Sequence, residues 1–296
     1  MATGVKTDTG RVREGNEDRY LVREERDVTL LAVADGVGGS SGGEIAADAA
    51  LAELGTRFFG APQGRATSDA LAEAMREANA AVLRAAVTSG HHDAATTIVA
   101  AVVRADEAII GNLGDSRAYL IRDGVCRQLT EDHSGAMEHA ITRFAGDPRG
   151  VQPDIFVESL RPDDRLLLCS DGLTRHVTPE EIAKAVTGED VSAAASALVD
   201  LANARGGQDN VTVLLHAPGA RRAVTGTAGR AVAFAVFALL ILVTVGGAVA
   251  VLFAASAAAP TITPAPSVSA TPTPTESASP TPTVTPSPTP TPSASP

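Results

Sequence analysis

The sequence predicts an α+β fold over residues 1–220, built from antiparallel sheets covered by helices and followed by one transmembrane helix. Three observations lead there. Apolar strand-like runs between residues 96 and 129 succeed one another across very short turns. Helical stretches come in pairs before and after them, which suits antiparallel sheets better than a doubly wound parallel sheet. All 24 basic residues, and all but one of the 35 acidic ones, lie at or before Arg230, so the remainder is a different kind of chain.

Taken in order, Val28-Thr-Leu-Leu-Ala-Val-Ala is a buried strand ending at Asp35. Ala-rich helices are expected at Gly43–Phe59 and Ser68–Thr88. Strands are expected at Thr96–Arg104, Ala108–Leu113, Arg117–Ile121 and Val125–Leu129, with hairpin turns at Ala105-Asp106 and Asp123-Gly124. Arg165–Cys169 is a further apolar strand, in which Cys169 reads as a buried small hydrophobe. Thr178-Pro179-Glu180-Glu181 has the cap, the first-turn proline and the acidic third position of a helix start. A helix at about Val191–Ala204 ends at Gly206-Gly207, and Val211–Leu215 closes the domain.

Residues 221–230 form a basic linker with Arg221, Arg222 and Arg230. The uncharged run that begins at Ala231 and extends to Ala259 exceeds the roughly 20 apolar residues a helix needs to cross the hydrocarbon core. The span is expected at 231–255. A buried core helix of that length would keep a polar stripe. Basic residues stand only on the N-terminal side, which predicts a single-pass protein of the cell membrane with residues 1–220 cytoplasmic. Met1-Ala-Thr-Gly-Val-Lys lacks the apolar segment of a signal peptide, so reduced thiols are expected at Cys126 and Cys169. Residues 256–296 are expected to be an extracytoplasmic disordered tail; from Pro260 onward it holds 12 Pro, 10 Thr and 7 Ser. A stiff solvated stalk is the simplest reading, with a glycosylated tail or a cell-wall contact as alternatives.

Composition excludes several functions. A net charge of −11 argues against a nucleic-acid partner, which needs a basic face. Two cysteines cannot build a disulfide scaffold, and no Cys/His group has zinc spacing. Gly36-Val-Gly-Gly-Ser-Ser-Gly-Gly lacks the Gly-Lys-Ser/Thr ending of a phosphate loop.

The chemical signal is a set of carboxylates next to apolar strands: Glu17-Asp18, Asp35-Gly36, Asp115, Asp171-Gly172 and Asp209-Asn210. One Asp-Gly pair is ordinarily a turn. Five such segments brought together would repel and resist desolvation unless cations sat among them. Oxygen donors alone select hard ions such as Mn²⁺ or Mg²⁺. Two such ions about 4 Å apart can bridge a hydroxide and aim it in line at phosphorus. Arg13, five residues before Asp18, offers a guanidinium that grips two phosphate oxygens.

In chain order, Val12-Arg-Glu-Gly-Asn-Glu-Asp18, Ala34-Asp-Gly-Val-Gly-Gly39, Ala95-Thr-Thr97, Gly114-Asp-Ser-Arg117, Ser170-Asp-Gly-Leu173 and Gly207-Gln-Asp-Asn-Val-Thr212 resemble the metal-dependent serine/threonine protein phosphatases of the protein phosphatase 2C (PPM) family, in its bacterial branch. The resemblance covers about residues 4–216. It implies a four-layer α-β-β-α sandwich and two Mn²⁺ or Mg²⁺ ions, with a third possible. It implies Asp35 as the bridging carboxylate, the Gly36 carbonyl on the second ion, and Asp171 and Asp209 on the first. Glu17 and Asp18 approach the second ion, mainly through water, and Asp115 matches a third-ion ligand. Arg13 matches the phosphate-binding arginine, and Asn210 is expected to orient Asp209 or a water on a metal. The implied partners are phosphoserine and phosphothreonine proteins, substrates of a serine/threonine kinase.

Three departures stand out. Val37 stands where some relatives have the histidine proposed to protonate the leaving alcohol, leaving a water on a metal or another acid, with His133 as a candidate. Ala95 replaces a common glycine. Asp132-His-Ser134 reaches Ile141-Thr-Arg143 so quickly that the flap bordering the substrate cleft reads as shortened, which puts the third ion in question. The competing reading is a catalytically impaired PPM-like module that binds phosphoproteins or signals across the membrane; the sequence leaves the oligomeric state open.

Overall fold

Strand β3 (Val28–Ala34) is buried on both faces, and that explains its unbroken apolar run. Leu30, Ala32 and Ala34 turn one way and Leu31 and Val33 the other, each set into a separate apolar layer. In this computed structural model the described residues are 1–37, 42–62, 64–135, 141–188 and 190–219. They belong to one compact unit, Met1–Ala223. The expected linker, span and tail lie outside the described residues. Among the described residues no helix is long and apolar enough to cross a membrane.

Two five-stranded antiparallel sheets form the centre. One runs β10 (Asp154–Ser159), β7 (Glu107–Leu113), β6 (Ile98–Arg104), β3, β2 (Arg19–Glu25). The other runs β1 (Ala2–Asp8), β12 (Val211–Ala217), β11 (Arg165–Cys169), β8 (Arg117–Arg122), β9 (Val125–Gln128). A two-residue pair, β4 (Gly36–Val37) with β5 (Ala95–Thr96), sits beside them.

Three apolar layers hold the sheets and helices together. Between the sheets, Leu31, Val33, Val99 and Ile110 meet Ala118, Leu120, Leu166, Leu168 and Leu214. Outside the first sheet lie α1 (Gly42–Phe59) and α2 (Thr67–Ser89), whose Ala46, Ala47, Ala50, Ala74 and Ala78 allow close approach while Leu54, Leu71 and Met75 fill the gaps. Outside the second sheet lie α4 (Pro179–Ala185) and α5 (Val191–Ala204), packed on Tyr119, Leu167, Cys169, Val213 and Leu215. Each fully buried leucine contributes about 1.5–3 kcal/mol, so the alternation along these strands makes register a strongly specified quantity.

The expected strands, helices and hairpins appear within one or two residues of their predicted places. Two-residue loops at Arg26-Asp27, Ala105-Asp106 and Asp123-Gly124 each open on a left-handed residue, with φ of 55°, 54° and 52°. The capping box of α4 forms as expected, with Glu181 Oε2 accepting from the Thr178 N–H at 3.0 Å. Cys126 and Cys169 are both free, and Cys169 is fully buried. Strand β1 has no apolar run of its own, and β10 only the short Ile155-Phe-Val157. Pairing with β12 and β7 makes them strands.

Candidate metal centre

The cluster begins where strands stop. Asp35 comes directly after β3, Asp171 opens the single turn α3 (Asp171–Thr174) after β11, and Asp209 precedes β12. Asp115 lies in the β7–β8 turn, and Arg13, Glu17 and Asp18 in the β1–β2 connection. These ends converge on one cleft of about 350 Å³, lined by Arg13, Glu17, Asp35, Gly36, Asp115, Asp171, Arg175, Asp209 and Asn210, with Val37 and Ile141 on its apolar side. Every predicted site residue except Asp18 reaches that surface. Asp18 is only 2% exposed.

Polar side chains behind the cleft fix each strand end. The Asp35 N–H donates to Thr97 Oγ1 at 3.0 Å, and its carbonyl accepts from Thr97 N–H and Thr96 Oγ1 at 2.9 Å each. Thr97 Oγ1 also pairs with Ser116 Oγ at 2.7 Å, tying the Asp115 turn to the same point. The Ala95-Thr-Thr97 motif is therefore a clamp on the backbone of Asp35. Behind Asp18, the Thr212 N–H donates to Ser170 Oγ (2.9 Å), which donates to Asp18 Oδ2 (2.7 Å). Gly36 is required by space: a Cβ there would lie 2.4 Å from the Gly43 carbonyl carbon and oxygen.

Asn210 acts differently from expectation. Its Nδ2 donates to the carbonyls of Thr9 and Gly15 (2.9 Å each) and its Oδ1 accepts from Glu17 N–H (2.8 Å). The side chain is spent on stapling the Arg13–Glu17 loop, and it is the Asn210 backbone N–H that holds Asp209 Oδ1, at 3.0 Å. His133 is buried outside the cleft; its Nδ1 accepts from Gly114 N–H (3.1 Å), leaving Nε2–H to donate to Asp154 Oδ2 (2.9 Å). Both ring nitrogens are occupied, so the loop histidine is structural. Burial alone would raise the Asp154 carboxyl, but hydrogen bonds from Arg143 and His133 more than offset it and hold it low.

Arg175 joins the site without a motif to announce it. Its Nε donates to Asp171 Oδ2 at 3.0 Å, and its Nη2 stands 3.8 Å from Asp209 Oδ2. Arg13 Nη2 reaches the same Asp209 oxygen from the loop at 3.0 Å. The one signal in the sequence is spacing: Arg175 is four residues beyond Asp171, one helical turn on.

The electrostatics show strong crowding. Burial, and then Asp171 and Asp209, push the Asp18 carboxyl up to about 7 against the hydrogen bonds from Ser170 and Thr212. Burial and then the charges of Asp18, Asp171, Asp209 and Asp115 push Asp35 well above the usual carboxylate range. Asp35 is thus the point on which the other carboxylates bear. Asp115 rises to about 6, through burial and Asp171.

Two facts bear on whether this set suits metal ions. Asp18 Oδ1 is buried with no hydrogen-bond partner, a costly arrangement that a cation would relieve. The donors are all oxygens, the set that hard divalent ions select. Among the described residues no three His, Cys, Asp or Glu side chains yet stand close enough to hold an ion as they are. Arg13 and Arg175 occupy the oxygens of Asp209 and Asp171, so closing on a cation requires these side chains to turn from guanidinium to metal.

The protein phosphatase 2C family matches residues 10–215. The chain belongs to that family. The 2C-type match includes every residue of the cleft. The serine/threonine phosphatase Stp of Listeria innocua is 35% identical over 239 residues, covering 73% of this chain and 95% of Stp. The serine/threonine protein phosphatase PstP of Mycobacterium tuberculosis is 33% identical over 233 residues, covering 71% of this chain and 44% of PstP. A solved structure of the PstP catalytic domain in complex with two manganese ions superposes with a TM-score of 0.64 at 33% identity, covering 72% of this chain and 96% of that one. The two antiparallel sheets with flanking helices are the 2C-type fold.

Proposed function

We propose that this chain is a protein serine/threonine phosphatase that hydrolyses phosphoserine and phosphothreonine with two Mn²⁺ or Mg²⁺ ions. The observation that carries the reading is the buried, unpartnered Asp18 Oδ1 beneath a cleft ringed by carboxylates, with a guanidinium at its mouth. Asp35, Asp171, Asp209, Asp18, Glu17 and the Gly36 carbonyl would hold the ions, and Asp115 is offered to a third. Bound there, the ions supply an activated water and positive charge for the phosphoryl oxygens. Arg13, whose side chain is half exposed, is placed to let go of Asp209 and take two phosphate oxygens. The Thr96–Thr97–Ser116 clamp and the Asn210 staple keep Asp35 and Arg13 in fixed positions, so that orientation is built in before substrate arrives.

The test is phosphate release from a phosphothreonine peptide by the purified chain. Release should require Mn²⁺ or Mg²⁺ and fall at least a hundredfold in Asp171→Asn. Metal-independent release, or full activity in that variant, would refute the two-metal reading.

The short connection between Ser134 and Ile141, which pair as an antiparallel bridge, supports a trimmed flap and an open substrate groove beside Ile141. The uncharged run at 231–255 behind Arg221, Arg222 and Arg230 supports anchoring in the cell membrane, with the phosphatase domain in the cytoplasm and the Pro/Thr/Ser tail outside. Protease added to intact cells should remove the tail and spare the domain.

A further inference from the structure

A second cavity, of about 390 Å³, adjoins the cleft and shares Val37 and Ile141 with it. Its chemistry is different. Ala94 and Ala95 form a floor that is 4% and 9% exposed, while Phe144 and Pro148 add apolar walls and His92 and Asp93 a polar rim. Val37 is 43% exposed, a large apolar side chain facing solvent beside a ring of carboxylates. Hydrolysis at the metal centre makes no use of this cavity.

The cavity is braced by polar groups that the metal centre does not need. Asn79, buried in the interior of α2, spends its side chain on one wall: Oδ1 accepts from Gly146 N–H (2.7 Å) and Asp147 N–H (2.9 Å), and Nδ2 donates to the Asp147 carbonyl (3.1 Å). Ala145 and Thr96 exchange backbone hydrogen bonds of 2.8 and 2.9 Å, locking the Phe144 segment to β5 beside the floor. At Gly146 a Cβ would meet the Ala94 carbonyl at 2.9 Å, so wall and floor are in direct contact. A cavity held this firmly accepts an apolar group without a large ordering cost.

We propose that this cavity is a specificity subsite for an apolar side chain, branched aliphatic or aromatic, of the phosphoprotein substrate. The proposal rests on the phosphatase reading. Continuity supports it: among the described residues, Val37 and Ile141 line both cavities and form a saddle between them. A substrate chain that presents its phosphate to Arg13 and Asp35 crosses that saddle in extended form. At about 3.3 Å per residue, the side chain that enters belongs within about two residues of the phosphorylated one. An acidic side chain there would lose its hydration against Ala94, Ala95 and Phe144 and face Asp93 on the rim.

The test uses the full chain with Mn²⁺ and phosphothreonine peptides of a common alanine background. Leucine, serine or aspartate is placed in turn at each of the two positions on either side, and para-nitrophenyl phosphate serves as the substrate without a peptide. One position should favour leucine over serine by about tenfold or more in kcat/KM, and over aspartate by more. In Phe144→Ala that preference should fall below threefold, mainly through KM, with para-nitrophenyl phosphate turnover unchanged. Photo-leucine at the preferred position should cross-link within residues 92–95 or 144–148, a measurement that does not depend on the variant folding. Turnover with no position showing a leucine preference, or cross-links only elsewhere, overturns the subsite while the phosphatase reading stands. Failure to release phosphate from every substrate, para-nitrophenyl phosphate included, overturns that reading and the subsite with it.

Discussion

Replacing Asp18 with asparagine should stabilise the chelated protein and weaken the metal-loaded one. Asp18 is 2% exposed, and its carboxyl rises from an ordinary 3.8 to about 7. At about 1.4 kcal/mol per pH unit, that rise is an ionisation penalty on the order of 4 kcal/mol at pH 8. The sign comes from proton counts. Between pH 3.8 and about 7 the folded chain holds a proton that the unfolded chain has released. Stability in chelator therefore falls as pH climbs through that window, and levels off above it. Asparagine keeps the shape and an oxygen for the Ser170 hydroxyl while removing the charge, so most of the pH slope should vanish. At pH 8 in EDTA, Asp18→Asn should gain between about 1 and 4 kcal/mol. For a domain of this size that is a rise of several degrees in Tm, at about 2–4 °C per kcal/mol. Adding Mn²⁺ should raise the Tm of the native sequence more than that of the variant, reversing the order. Thermal melts at pH 5 and pH 8, with EDTA and with Mn²⁺, read all four quantities. A variant less stable than the native sequence in EDTA at pH 8 would refute the argument that Asp18 is held against its own repulsion.

Thr97→Val removes the acceptor for Asp35 N–H and the partner of Ser116, so urea unfolding should show a loss of about 1–3 kcal/mol even in chelator. Asn210→Ala cuts three hydrogen bonds of the Arg13–Glu17 loop; KM for a phosphopeptide should rise more than kcat falls, because Arg13 loses its fixed position. Ala105→Gly should stabilise the β6–β7 hairpin by about 0.5–1 kcal/mol in the same melt, since alanine at a φ of 54° is strained and glycine is not.

How much the residues alone disclose depends on how local each signal is. β3, β6 and β11 are legible because burial on both faces writes itself as an unbroken aliphatic run. α4 is legible because its cap, proline and Glu181 act within one turn. β1 and β10 are not, because their conformation is imposed by β12 and β7, distant in the chain. The same division runs through the site. Asp35, Asp171 and Asp209 stand at strand ends beside recognisable motifs, and the cleft collects them. Arg175 stays hidden because an arginine on a short helical turn is ordinarily a solvated charge. Asn210 stands out beside Asp209, yet its work on Thr9, Gly15 and Glu17 lies about 200 residues away in sequence.

The position of the polar groups separates this site from an ordinary surface cluster. Thr96, Thr97, Ser116, Ser170, Asn210 and Thr212 are all buried, and none of them belongs to the three apolar layers that pack the domain. Each lies within one or two hydrogen bonds of a carboxylate or of the loop bearing Arg13. Buried hydroxyls and amides cost free energy unless their partners are well placed, so a chain selected only for stability would replace them with valine and leucine. Here they hold acids together at close range, where burial first and then mutual repulsion raise Asp18 and Asp35 above their usual range, against the hydrogen bonds that Ser170 and Thr212 give Asp18. The arrangement works against folding wherever cations are absent and with it wherever they are supplied. Much of the domain's stability should therefore depend on divalent ion concentration, through the same carboxylates that would hold the ions during hydrolysis.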